Sequence, residues 1–199
     1  GYIDNFKSIK EDLVNLNTID KPAVHLPLET NAINTGFTPL TINSVGSPTY
    51  TTVDGKKCIK FESGKYLSIN SNNIFNLGTT SDFYIELDVY PLVVSNSPVL
   101  FDSFISGSSD TWQIWYDNCL KIYSYGSNHV IASSLVLQLN VWQTIKIARL
   151  GNVFKLSIDQ KSEDIVSNIS LSNSQAVALG AQHYSRNSSY DFNGYMSNF

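Results

Sequence analysis

Trp142-Gln-Thr-Ile-Lys-Ile-Ala-Arg149-Leu-Gly-Asn-Val-Phe-Lys-Leu-Ser-Ile-Asp159 reads as a β-hairpin, two alternating strands joined at Leu150-Gly151-Asn152. A second stretch, Phe192-Asn-Gly194-Tyr195-Met-Ser-Asn-Phe199, reads as a short strand entered through a glycine. Alternation with period two puts successive side chains on opposite faces of a sheet. Both stretches are therefore sheet elements, one face of each turned to a core.

The same pattern runs through most of the chain. Phe83, Ile85, Leu87 and Val89 alternate with Tyr84, Glu86, Asp88 and Tyr90, and Pro91 is expected to end that strand. Asp54-Gly55 marks a hairpin between Thr49–Val53 and Lys57–Phe61. Further short strands are expected at His25–Leu28, Tyr66–Ile69, Val99–Ile105, Trp112–Tyr116, Leu120–Tyr125, Val130–Ser133, Val136–Leu139 and Ala176–Leu179. Around a dozen strands at a spacing of roughly 8–12 residues, with no helix after residue 22, indicate an all-β antiparallel sandwich or jelly roll.

Residues 1–22 differ. Tyr2, Phe6, Ile9, Leu13 and Leu16 step by four, three, four and three, with polar residues between, and Pro22 stops the pattern. This predicts a short amphipathic helix. So short a helix is marginal alone in water, so its seam must pack on its own domain or on copies of itself. The second option makes residues 2–16 the end of a homotrimeric coiled-coil stalk. The domain division is thus 1–22, helix or stalk, and 23–199, sandwich.

Bulk composition narrows the partners. The 199 residues are 42% hydrophobic and only 15% charged, with a net charge of −4. One domain with a sizeable core is expected. The acidic balance, without clustered Lys or Arg, argues against nucleic acid. No apolar run is long enough to insert into a membrane. The sequence shows no leader, and its start reads as that of a fragment. Cys58 and Cys119 are read as separate thiols, and His25, His129 and His183 stand far apart, so no metal and no cofactor is expected.

Several segments together resemble the laminin G-like branch of the concanavalin A-like lectin and glucanase domains. They are Leu26-Pro-Leu28, the run Phe61-Glu-Ser-Gly64-Lys-Tyr66-Leu67, the strand Asp82–Pro91, the hairpin from Trp142, and Phe192–Phe199. The resemblance covers about residues 23–199. It implies a binding module rather than an enzyme, and it assigns Trp142 and Tyr195 to packing. A heptad segment ahead of such a jelly roll further resembles the distal, receptor-binding end of a bacteriophage tail fibre. That likeness implies a virion protein, extracellular, attaching to bacterial surface polysaccharide. The alternatives are a structural fibre-assembly domain without ligand and a carbohydrate-binding module of a secreted bacterial enzyme.

Two candidate sites follow. If Trp112, Ile114 and Tyr116 face the core, then Gln113, Trp115 and Asp117 face out, as do Lys121, Tyr123 and Tyr125 on the next strand. With Glu86 and Asp88 these are expected to form one outer face of aromatics and carboxylates, suited to sugar C–H groups and hydroxyls. The second candidate is the polar loop carrying His183, Tyr184 and Arg186. Glycosidase chemistry needs paired carboxylates. The strand Glu86-Leu-Asp88-Val-Tyr90 carries an aromatic where a second glutamate would complete such a motif, so no catalysis is expected.

Overall fold

A computed structural model describes residues 23–103, 111–125, 128–182 and 188–199. The expected helix or stalk of residues 2–16 lies outside them, as do His183, Tyr184 and Arg186.

Two seven-stranded antiparallel sheets pack face to face. One has the order β1 (Ile42–Val45), β4 (Tyr66–Ile69), β13 (Val177–Leu179), β6 (Val99–Asp102), β7 (Trp112–Tyr116), β8 (Leu120–Ser124), β9 (His129–Ala132). The other has the order β12 (Lys161–Val166), β11 (Val153–Ile158), β10 (Gln143–Leu150), β5 (Phe83–Val93), β14 (Asn193–Ser197), β3 (Lys56–Phe61), β2 (Thr49–Val53). We call them the first and second sheets. The chain passes from one to the other after β1, β3, β4, β5, β9, β12 and β13. The inner faces meet over Phe61, Leu67, Leu87, Trp112, Ile114, Ile145, Phe154 and Met196, all nearly or fully buried. Phe101 stacks on Trp112 with ring centres 4.6 Å apart, and the Trp112 indole N–H donates to the Phe75 carbonyl at 3.0 Å.

The opening hairpin forms as its sequence requires. Leu150 pairs with Val153, and Gly151 takes φ +59° at the first position of the two-residue turn. The closing strand also needs its glycine. A Cβ on Gly194 would lie 2.4 Å from the Tyr90 carbonyl oxygen.

Three expectations are corrected, and two edge strands, β1 and β12, are additional to those expected. The segment His25–Leu28 is not a ladder strand, although Leu26 and Phe199 exchange backbone hydrogen bonds of 2.6 and 2.9 Å. The segment Val136–Leu139 is not a strand either; it alternates buried Leu137 with exposed Val136 but joins no ladder. Pro91 does not end β5, which runs on to Val93. The β10 ladder has already stopped at Val89, and the β14 register shifts at Asn193/Gly194, so the proline sits where pairing is irregular. Finally, β12 is an additional edge strand whose polar sequence, Lys-Ser-Glu-Asp-Ile-Val, hides its pairing with β11.

Candidate functional site

The strand parity expected for β7 and β8 is the observed one. Trp112, Ile114, Tyr116, Leu120 and Ile122 are core, while Gln113, Trp115, Lys121, Tyr123 and Tyr125 project from the outer side of the first sheet. Cross-strand register places Ala178, Asp102, Gln113, Tyr123 and Val130 in one row across β13, β6, β7, β8 and β9. Burial deepens along that row. Val130 is 40% exposed, Gln113 6%, and Asp102 and Ala178 not at all.

Around Gln113 the side chains hold one another in place. The Tyr123 and Tyr125 rings meet edge to face at 4.5 Å, and the Tyr123 hydroxyl donates to Asn128 Oδ1 at 2.5 Å. Tyr125 hydrogen-bonds the Gln182 side chain, and its phenol is pushed up by burial first, then by the negative field of Asp102 and the neighbouring Tyr123. It stays neutral and can serve as a donor. Lys121 Nζ lies 5.3 Å from the Trp115 ring centre and 2.7 Å from Asp117 Oδ2, so its charge is spent on a carboxylate and an indole face. Among the described residues, Gln113 Oε1 and Trp115 Nε1 are buried without a hydrogen-bond partner.

Glu86 and Asp88 do not join this face. They lie on β5 in the second sheet, so their side chains leave the opposite side of the sandwich. Asp88 is 6% exposed and accepts from Thr144 Oγ1 at 2.6 Å, Lys56 Nζ at 2.9 Å and Asn198 Nδ2 at 3.0 Å. Burial alone would raise its carboxyl, but these donors outweigh burial and hold it below the usual range. Glu86 accepts from the Tyr84 hydroxyl and pairs with Lys146 at 3.4 Å. A retaining or inverting glycosidase needs one carboxyl kept protonated as acid; Asp88 is held ionised, and Glu86 faces a cation.

Trp142 and Tyr195 do pack, but not between the sheets. Both meet Tyr90 edge to face on the outer side of the second sheet, at 5.5 and 5.8 Å, and Lys56 lies over the Trp142 ring. Cys58 and Cys119 are free thiols. No group of three or more His, Cys, Asp or Glu side chains among the described residues could hold a metal, and no helix among them is long and apolar enough to cross a membrane.

Asp102 and Asn128 are neighbours of the site that its sequence motifs did not single out. Asp102 ends the apolar run Val-Leu-Phe-Asp, and only the pairing of β6 with β7 brings it beside Gln113.

No protein-family model matches the sequence, and no curated protein does. Solved structures do match the fold. Domain 4 of AbnA, an extracellular GH43 arabinanase from Geobacillus stearothermophilus solved with arabinotriose, is similar at 14% identity and a TM-score of 0.67, over 89% of this chain and 90% of that one. The binding domain of Paraclostridial Mosquitocidal Protein 1 is similar at 15% identity and a TM-score of 0.71, over 90% of this chain and 48% of that one. A botulinum neurotoxin type C structure, from work on cell entry dependent on two ganglioside molecules, is similar at 14% identity and a TM-score of 0.66, over 92% of this chain and 48% of that one. The chain thus spans about half the length of the two toxin chains. The fold is the concanavalin A-like, laminin G-like β-sandwich.

Proposed function

We propose that the chain is a non-catalytic glycan-binding module of a larger secreted protein, and that it binds through the outer face of the first sheet. The observation that carries this is the cluster of Trp115, Tyr123 and Tyr125 around the buried amide of Gln113. Aromatic rings offer apolar surface for sugar C–H groups, and a fixed amide reads hydroxyls. The likeness to an arabinanase accessory domain solved with a trisaccharide, over nearly the whole of both chains, supports the same reading. It favours an enzyme- or toxin-associated module over the virion reading.

The test is a glycan panel presented to the full chain, followed by Trp115→Ala and Tyr123→Ala. Binding to a defined glycan, lost in both variants while the melting temperature holds, is the expected result. Binding that survives both changes removes this face. No binding to any glycan favours a structural domain without ligand.

The tail-fibre reading keeps one specific support, the seam of Tyr2, Phe6, Ile9, Leu13 and Leu16. A cleft of about 400 Å³ with a mixed polar and apolar lining, Ile33, Asn34, Phe37, Thr38, Leu40 and Ile42 among it, lies beside Ala23, where that segment joins the sandwich. Phe37 there is 64% exposed. Light scattering on residues 1–199 and 23–199 separates the cases. A trimer that becomes a monomer on truncation supports the stalk; a monomer in both leaves the accessory module alone.

A further inference from the structure

The binding face carries two unmet hydrogen-bonding atoms of opposite kind. Gln113 Oε1 is an acceptor and Trp115 Nε1 is a donor, and neither has a partner among the described residues. Buried polar atoms are rarely left so, because desolvation is not repaid. The two residues are next neighbours on one side of β7, about 7 Å apart along the strand. Gln113 is 6% exposed, so its amide is a built feature of the floor rather than a surface accident.

Their neighbours are already engaged. The Tyr123 hydroxyl is given to Asn128, Lys121 to Asp117, and Tyr125 is bonded to Gln182. The ligand must therefore bring one donor for Gln113 and one acceptor for Trp115. A carboxylate, sulfate or phosphate only accepts, and would leave Gln113 Oε1 unmet. An ammonium only donates, and would leave Trp115 Nε1 unmet. A hydroxyl does both.

We infer that the face takes a saccharide by two of its hydroxyls rather than by a charged group, one hydroxyl donating to Gln113 Oε1 and another accepting from Trp115 Nε1. This rests on the glycan-binding reading above and names the ligand class for it. Sites built to bond a particular hydroxyl discriminate strongly, because an ill-matched ligand leaves buried atoms unpaired. Both atoms are shut from solvent in the unliganded chain, so binding requires whatever covers them to move.

The experiment is calorimetric titration of the full chain with neutral trisaccharides, arabinotriose among them, and with counterparts carrying a uronic or sialic acid. The variants are Gln113→Met, which keeps the length and loses the acceptor, and Trp115→Phe, which keeps a ring and loses the N–H. Wild type is expected to bind a neutral trisaccharide at least as tightly as its acidic counterpart, and each variant to weaken that binding about tenfold. Acidic sugars that bind at least tenfold more tightly than neutral ones overturn the inference. So do variants that bind the neutral sugar as wild type does, even where their melting temperatures move; that pattern means an internal structural role. If Tyr123→Ala abolishes binding while Gln113→Met and Trp115→Phe do not, the glycan-binding face stands and this inference fails. No binding in the whole panel overturns both.

Discussion

Glu86 and Trp115 stand on opposite outer faces of the sandwich, with the whole core between them. Packed sheets lie about 10 Å apart, so no single small ligand touches both. Trp115→Ala is expected to weaken glycan binding at least tenfold, while Glu86→Gln leaves it unchanged. Titration of the two variants against one glycan checks this, and a matched loss in both places the site elsewhere.

Asp88 ties three separate segments together through Lys56, Thr144 and Asn198. Its carboxyl is held below the usual range, so the unfolded chain binds the proton more readily. The stability Asp88 contributes is then complete above about pH 3.9, the unfolded value, and is lost as pH falls through the lower folded value. Asp88→Asn should cost about 2 kcal/mol at neutral pH. It should also flatten the fall in melting temperature below pH 4, as followed by circular dichroism.

Arg149 is 2% exposed and has its guanidinium between the rings of Phe83 and Phe154, at 5.2 and 5.6 Å. It donates to the carbonyls of Leu77, Gly78 and Ser81, fastening that loop to the second sheet. Burial pulls its pKa down, with Asp82 opposing, yet the group stays charged. Arg149→Met takes the guanidinium donors from three carbonyls, of which Gly78 keeps the Leu171 N–H at 2.9 Å, and is expected to cost about 3 kcal/mol in urea unfolding, with glycan binding intact. Arg149→Lys recovers only part of that, since an ammonium cannot reproduce the planar fork.

Gly194 passes the Tyr90 carbonyl and the Phe192 ring so closely that a Cβ would sit 2.4 and 2.8 Å from them. Gly194→Ala should therefore destabilise by about 2 kcal/mol through overpacking. An unchanged thermal midpoint would mean that β14 can shift outward at its register break.

Much of the fold is legible in the sequence because one-sided burial imposes alternation. Phe83, Ile85, Leu87 and Val89 against Tyr84, Glu86, Asp88 and Tyr90 is such a case, whereas β7 carries a Trp on each face, so its sequence leaves the parity conditional and the packing decides it. Alternation does not say which sheet a strand joins. Glu86 and Asp88 have the expected parity on the other sheet, because membership is set by crossovers that leave no local pattern. Strand β12 escapes for a related reason: at the sheet edge only Ile165 packs against the core, so there is little alternation to read. The candidate site is legible only in part. Gln113, Trp115, Tyr123 and Tyr125 are neighbours across one hairpin, whereas Asp102 and Gln182 arrive through long-range pairing.

The paired backbone hydrogen bonds between Leu26 and Phe199 have a mechanical consequence. They bring the two ends of the sandwich to one point. A tether pulling on both ends loads that clasp directly, and the tension need not cross the sheets. The body can then swing on its attachment, so a module under drag or shear can yield at the clasp before its outer faces are strained.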